Sequence, residues 1–205
     1  VGMPQFCNGD VMMARALNLF ADSKKGITLE QARRTCIGAC VGSYIPYETG
    51  HPVEGQPNMG KVIELTMNSG FDPRTKKQVG PKTGDPATFK TFEELYAAFE
   101  QQLQFNEEVL RRGAWIASML CADFLPVPWR SLLTGGCIET GTEGWNGGAN
   151  YYTVAQIVVG GIDAANCLMA VKQLAYDDKK LTMAELKKAL AANFEGYENV
   201  RKMCY

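Results

Sequence analysis

Histidine is almost missing from this chain: His51 is the only one among 205 residues. With no second Cys-x-x-Cys or Cys-x-x-x-Cys knuckle beside Cys36 and Cys40, the ligand spacing of a structural zinc site is absent, and no bound metal is expected. Basic runs are missing as well. No stretch of lysine or arginine exceeds two residues, the formal net charge is -1 and the pI is about 6.0, so nothing attracts a nucleic acid backbone over long range. Long apolar runs are also lacking: the stretches around residues 156–162 and 115–125 fall short of the ~20 residues that span a bilayer, which argues against a membrane partner. Neither GxxxxGK[ST] nor a strand-GxGxxG-helix pattern is present, which removes the usual phosphate cradles. There is no internal repeat and no low-complexity tract, and no signal peptide is expected. The seven cysteines are odd in number, so reduced thiols in a cytoplasm are expected. The chain opens Val1-Gly2-Met3-Pro4 and closes Met203-Cys204-Tyr205, which reads as a segment of a longer protein.

What is present is a globular composition, 46% apolar and 21% charged, enough to bury a core in one domain or a large piece of one. Three Thr-x-x-Glu/Gln capping boxes mark helix starts, at Thr28 with Gln31, Thr91 with Glu94 and Thr182 with Glu185; in the last, Leu181 and Leu186 fall at staple spacing. Apolar positions from Phe92 to Leu120 recur at mixed three and four spacing, predicting one long helix over 91–124 or two in series, with Gly113 as the expected interruption. Further helices are predicted over 11–20, 59–69, 164–176 and 183–194. Strand signal is thinner: 151–159 has a β-branched and aromatic bias, and 129–133 reads as a short buried strand. Residues 71–89 form a long turn-rich connection, too polar for a core. Gly135, Gly136, Gly141, Gly144, Gly147 and Gly148 form a cluster that lets backbone pass close to something else.

The feature that most needs explaining is the pair of cysteines in Cys36-Ile37-Gly38-Ala39-Cys40-Val41-Gly42-Ser43-Tyr44. The pair lies between a capped helix and a stretch broken by Pro46, Gly50, Pro52, Gly55 and Pro57. A loop thiol held between ordered elements can be presented to a substrate, although free cysteine is also among the most buried residue types. Cys121, Cys137, Cys167 and Cys204 sit in helical or core-like patterns and read as packing residues.

Four blocks in order resemble the glycyl radical enzymes of the pyruvate formate-lyase type. They are Cys40-Val41-Gly42-Ser43, where many members read Cys-Val-Glu-Pro; Asn58 to Gly70 leading into Gly80-Pro81-Lys82-Thr83-Gly84-Asp85-Pro86; Cys137-Ile138-Glu139-Thr140-Gly141 with Gly147-Gly148-Ala149-Asn150-Tyr151; and Ala164 to Lys172 running on to Leu181 through Leu186 and Asn193-Phe194-Glu195-Gly196. The resemblance implies an α/β fold: part of a ten-stranded α/β barrel, helix-rich, with the reactive cysteine on a central loop and residues 1–205 a partial catalytic domain. It implies no bound cofactor beyond a glycyl radical, installed by an activating enzyme that uses S-adenosylmethionine and an iron-sulfur cluster, with the thiol passing hydrogen between that glycine and a small-molecule substrate.

Cys40, 18 residues before Asn58, matches the family separation and is the expected thiyl position, with Cys36 as a second candidate catalytic residue that packs beside it or assists. Tyr44, Tyr47, His51 and Glu139 are the expected substrate-binding residues. Glu48 and Glu54 are further acid/base candidates, because Gly42 stands where eliminating members and hydroxyarylacetate decarboxylases carry glutamate. The tyrosines beside the thiol suggest a carbon-carbon lyase of the arylacetate decarboxylase type. Fumarate addition, a diol or amino-alcohol eliminase, a formate acetyltransferase and a non-catalytic remnant or split subunit are the alternatives. The Arg-Val-x-Gly-Tyr-like radical loop does not occur in these residues, so the chain alone is expected to be inactive. Its expected partners are the activating enzyme and the remainder of the barrel or a chain carrying the radical glycine, with a homodimer when complete.

Overall fold

The structure is a computed structural model and describes residue 17 and residues 26–38, 42–50, 54–152 and 155–204. Cys40, His51 and, apart from Leu17, the helix expected over 11–20 lie outside the described residues. Two compact units divide the chain, one made of Val1–Gly55 and Arg112–Ala155, the other of Gln56–Arg111 and Gln156–Tyr205.

In the first unit, helix α1 (Leu29–Arg33) begins at the Thr28 box as expected: Thr28 Oγ1 accepts from the Gln31 amide, and Gln31 Oε1 accepts from the Thr28 amide at 2.8 Å. The chain then forms an antiparallel hairpin of β1 (Cys36–Gly38) and β2 (Gly42–Tyr44), with Cys36 opposite Tyr44 and Gly38 opposite Gly42. After the turn at residues 46–48, Thr49 bridges Tyr151 in parallel sense, with Gly50 N donating to Tyr151 O (2.8 Å) and Tyr151 N to Glu48 O (3.0 Å). Ile45 and Tyr151 are the buried pair of this unit's apolar cluster, with Ile27 packed against them. The Tyr151 hydroxyl donates to Gly26 O at 2.7 Å. Two short strands, β3 (Glu54–Gly55) and β6 (Ala155–Gln156), pair with each other.

The second unit carries the larger apolar core. Helix α2 (Met59–Met67) starts where the Asn58 side chain accepts from Lys61 N, and it buries Met59, Val62, Leu65 and Met67. Asn58 bridges Val159 in parallel sense. Helix α3 (Phe92–Phe124) contributes Leu95 and Phe99 from its first turns. Helix α6 (Gly161–Val171) passes into a π-helical turn over Lys172–Asp177, and α7 (Met183–Ala191) and α8 (Glu198–Met203) complete the unit. Met67, Leu95, Leu174, Leu181, Met183 and Leu186 form one cluster; Met59, Val62, Phe99 and Ala164 form a second, and Ile63 packs on both. The Thr182 box and the Leu181/Leu186 staple are present as read.

Three expectations change. Gly113 does not interrupt α3, which runs unbroken for 33 residues; a glycine inside a helix costs only about 1 kcal/mol relative to alanine, too little to end a well-packed one. Residues 129–133 are not a buried strand: Pro128 sits in the first turn of helix α4 (Pro128–Leu132), and Trp129 is 73% exposed. Over 151–159 the strand contracts to β6 and single bridges at Tyr151 and Val159. The connection over 71–89 is turn-rich as expected but is anchored. It opens with hairpin β4 (Phe71–Asp72) and β5 (Lys77–Gln78) and ends in a 3-10 turn at Pro86–Thr88. Buried Gln102 of α3 donates its amide to Pro81 O (2.7 Å) and Thr83 Oγ1 (3.1 Å). Gly70, at φ +77°, leaves only 2.3 Å between an added Cβ and Pro81 O, so no other residue fits there.

Candidate functional site

The hairpin gives the cysteine loop its local frame. Gly38 and Gly42 face each other across β1 and β2, and Cys40 follows Gly38 by two residues in sequence, outside the described residues. Cys36 lies on β1 and is exposed. Opposite it, Tyr44 is half-buried. Tyr47 follows at φ +64° with its side chain 78% exposed; a positive φ is uncommon for a residue of this bulk, and surrounding contacts must hold it. One such contact is the Tyr47 carbonyl, which accepts from Gly135 N at 2.6 Å.

That hydrogen bond brings the turn after the hairpin against the glycine cluster. Gly135 O in turn accepts from Asn150 N at 2.9 Å. A Cβ on Gly136 would stand 2.6 Å from Gly148 O, and one on Gly148 only 2.0 Å from Thr142 O. Gly136 and Gly148 therefore do what the cluster suggested, with backbone packed directly on backbone, whereas an added Cβ on Gly141 or Gly147 would meet nothing within 4 Å. Just beyond them, α5 (Cys137–Thr140) begins at Gly136, and Glu139 Oε2 accepts from Gly136 N at 2.9 Å. Glu139 is exposed, and this carboxylate serves a helix N-terminus. The Tyr47 turn and the Glu139 turn are thus neighbours through Gly135, while the Tyr47 ring itself faces solvent.

Glu48 is the acidic side chain that the local sequence places with most structure around it. Its Oε2 accepts from Gln31 Nε2 (2.8 Å), and its Oε1 meets Arg34 at 3.3 Å. Helix α1 and its C-cap residue therefore hold this carboxylate with one amide and one guanidinium. The pairing was legible only in part, since the sequence placed Glu48 beside the loop but did not link it to Arg34.

Two residues that sequence reasoning passed over tie the rest of this unit together. Glu143 accepts from Ser131 Oγ (3.1 Å), Val127 N (3.3 Å) and Trp145 N, joining α4 to the 3-10 turn at Gly144–Asn146. Ser118 of α3, only 2% exposed, donates to Trp145 O at 3.0 Å and contacts the Tyr152 hydroxyl. Nothing in the local sequence marks either as an anchor. Cys137 is buried, in line with a packing role; burial, then the nearby Glu143 and Glu139 carboxylates, push its thiol above the usual range and keep it protonated. Cys167, read as a packing residue, is instead exposed on α6. Among the described residues, no group of three or more His, Cys, Asp or Glu side chains could hold a metal ion, and no helix is long and apolar enough to cross a membrane.

Comparison with known proteins gives this arrangement its context. A family model described as pyruvate formate lyase-like matches residues 1–205. The trans-4-hydroxy-L-proline dehydratase of Clostridioides difficile is 36% identical over 199 residues, covering 97% of this chain and 24% of that protein. The indoleacetate decarboxylase of Tractidigestivibacter scatoligenes is 33% identical over 198 residues, covering 94% of this chain and 22% of its own length. Among solved structures, the glycerol-bound B12-independent glycerol dehydratase of Clostridium butyricum superposes with a TM-score of 0.87 at 30% identity, over 98% of this chain and 25% of that one. The chain thus spans about a quarter of the length of the relatives it matches. Its order of blocks, its cysteine hairpin and its matched length lead to one assignment: the chain belongs to the pyruvate formate lyase-like family of glycyl radical enzymes.

Proposed function

We propose that this chain is the thiol-bearing part of a glycyl radical lyase and that Cys40 is its hydrogen-exchanging residue. The observation that supports this reading is the β1/β2 register, in which two glycines, Gly38 and Gly42, each two residues from Cys40 in sequence, stand opposite each other. Glycines beside a thiol leave room for a substrate and a second backbone to approach it. The glycyl radical, set by an S-adenosylmethionine and iron-sulfur activating enzyme, supplies the unpaired electron. What the chain's own residues do is narrower: Cys40 gives up and regains one hydrogen atom at Sγ, and Tyr44, Tyr47, His51 and Glu139 are proposed to orient a small carboxylate substrate.

The reaction proposed first is cleavage of a carbon-carbon bond in an arylacetate, in keeping with the tyrosines of the turn and the similarity to a decarboxylase. A second reading, elimination of water, is favoured by the 36% identity to a dehydratase. It requires a carboxylate to replace the glutamate missing at Gly42, and Glu48, held by Gln31 and Arg34, is the candidate. The remainder of the ten-stranded barrel is proposed to cover the apolar side chains exposed on α3 and α4, among them Ile116, Leu120, Phe124 and Trp129. A homodimer and a cytoplasmic setting complete the proposal.

The test is anaerobic activation of the enzyme by its activating partner, with the organic radical followed by electron paramagnetic resonance and products followed by mass. Carbon dioxide from an arylacetate supports the first reading; loss of water from a hydroxylated substrate supports the second. Cys40→Ser should keep the radical signal and lose turnover, whereas Cys36→Ser should keep both. Turnover in Cys40→Ser would sink the assignment.

A further inference from the structure

Two of the chain's three tryptophans line one cavity of about 340 Å³ in the first unit. Trp115, Ser118 and Met119 reach it from one face of α3, at the three and four spacing that brings helix side chains together. Trp145 and Tyr152 close it from the other sides. An apolar cavity of ~150 Å³ already takes up benzene, so this one has room for a substituted ring.

The walls are fixed before any ligand arrives. Trp115 and Tyr152 meet edge to face, ring centres 6.5 Å apart. The Arg130 guanidinium lies over the Trp145 ring at 4.9 Å. Ser118, almost fully buried, holds both the Trp145 backbone and the Tyr152 hydroxyl. Rings clamped in this way lose little freedom on binding, which is the condition for useful affinity in a small site.

The hydrogen-bond bookkeeping selects the ligand. A serine hydroxyl has one proton, and that of Ser118 goes to the Trp145 carbonyl at 3.0 Å. The contact between Ser118 Oγ and Tyr152 Oη is then made with the tyrosine proton. This leaves the Tyr152 oxygen as an acceptor, so a guest bearing a donor gains a hydrogen bond at Tyr152, while the Asn146 carboxamide in the same lining serves either polarity. Among the described residues, no ionisable side chain lines the cavity apart from the Tyr152 phenol, which disfavours a charged guest. We propose that this cavity is a binding site for a small neutral aromatic molecule bearing an O–H or N–H donor. The site does not depend on Cys40 or on the lyase reading.

Three probes separate ring from donor: phenol has both, anisole keeps the ring without the donor, and cyclohexanol keeps the donor without the ring. Emission is followed at the red edge of tryptophan excitation, where these probes do not absorb, in a Trp129→Phe background; Trp129 is 73% exposed and lies outside the cavity. Phenol should give a saturable change, with anisole and cyclohexanol each about fivefold weaker. Tyr152→Phe should bring phenol down to the affinity of anisole while leaving anisole unchanged. Trp115→Ala, at a residue 56% exposed, should weaken phenol about tenfold with an unchanged far-ultraviolet spectrum. A response linear in phenol, equal affinity for all three probes, or a phenol preference that survives Tyr152→Phe would overturn the proposal.

Discussion

The unit built from residues 56–111 and 156–205 withdraws Val62, Leu65, Leu95 and Leu186 almost wholly from water. Its helices α2, α3 and α7 start at side-chain caps from Asn58, Thr91 and Thr182, and two apolar clusters hold the unit. In the unit built from residues 1–55 and 112–155, the apolar cluster found among the described residues is the pair Ile45 and Tyr151 with Ile27 beside it. There the contacts run through main chain and polar groups instead: Gly135 between Tyr47 and Asn150, Gly148 against Thr142, Glu48 on Gln31 and Arg34, and Ser118 on Trp145 and Tyr152. One unit is stabilised by burying surface, which is non-directional and tolerant of detail. The other depends on close approaches and hydrogen bonds, which fix geometry more than they add stability. The cysteine hairpin belongs to the second kind.

Truncating the core should separate the units most. Leu95→Ala is expected to cost about 2–5 kcal/mol, the range for a buried leucine, measured by urea unfolding. Hydrogen exchange should accelerate first in residues 59–67 and 183–191. Equal acceleration around the hairpin would erase the contrast.

A change of one methyl group tests the other unit. Gly148→Ala places a Cβ 2.0 Å from Thr142 O, and about 1–3 kcal/mol of destabilisation is expected from such overpacking. Its hydrogen-exchange signature should fall within residues 135–150. Removing the cap at Thr182, by Thr182→Ala, should cost about 1 kcal/mol, with loss of helicity confined to α7.

The smallest effect is a pH dependence. Asp72 is held at about 2, first by the Thr75 hydroxyl at 2.7 Å, then by Arg74 N and Lys61. Its folded value lies below the ordinary carboxylate value of 3.8, so the stability it contributes is present above about pH 4 and is lost as pH falls through about 2. Urea midpoints of Asp72→Asn should be flatter than those of the parent across that window and parallel to them above it. A steeper acid loss in the variant would contradict the geometry.

Much of the burial-driven unit was legible in the sequence, because its signals are local. Thr182 with Glu185, Leu181 with Leu186 and the apolar spacing from Phe92 onward each act within a few residues. The Thr91 box was legible by half: its hydroxyl accepts from Glu94 N, but the Glu94 carboxylate turns to Lys90 N. The bond-driven unit was less legible for the converse reason. Thr49 meets Tyr151 and Ser118 meets Tyr152 across long separations, and no periodicity announces a partner that far away. Trp129 to Leu133 misled because five mostly apolar residues fit a strand as well as a helix; Pro128 was the deciding residue. Cys40 and His51, on which the proposed chemistry turns, were named from motif, spacing and loop position and lie outside the described residues.

The parallel bridge between Thr49 and Tyr151 also bears on the order of events at the ribosome. The hairpin bearing Cys36 leaves the exit tunnel before the residue that flanks it, Tyr151, which is translated about a hundred residues later. At typical elongation rates that delay is roughly 5–20 s. Throughout it the hairpin exists without its neighbour, and the segment 56–111 emerges between the two halves before its own counterpart, 156–205, has been made. Neither unit can finish ahead of the other by much, so the nascent chain passes through an interval in which thiols and apolar side chains are both uncovered, and a chaperone that shields residues 26–50 over those seconds would act where the chain is most in need of one.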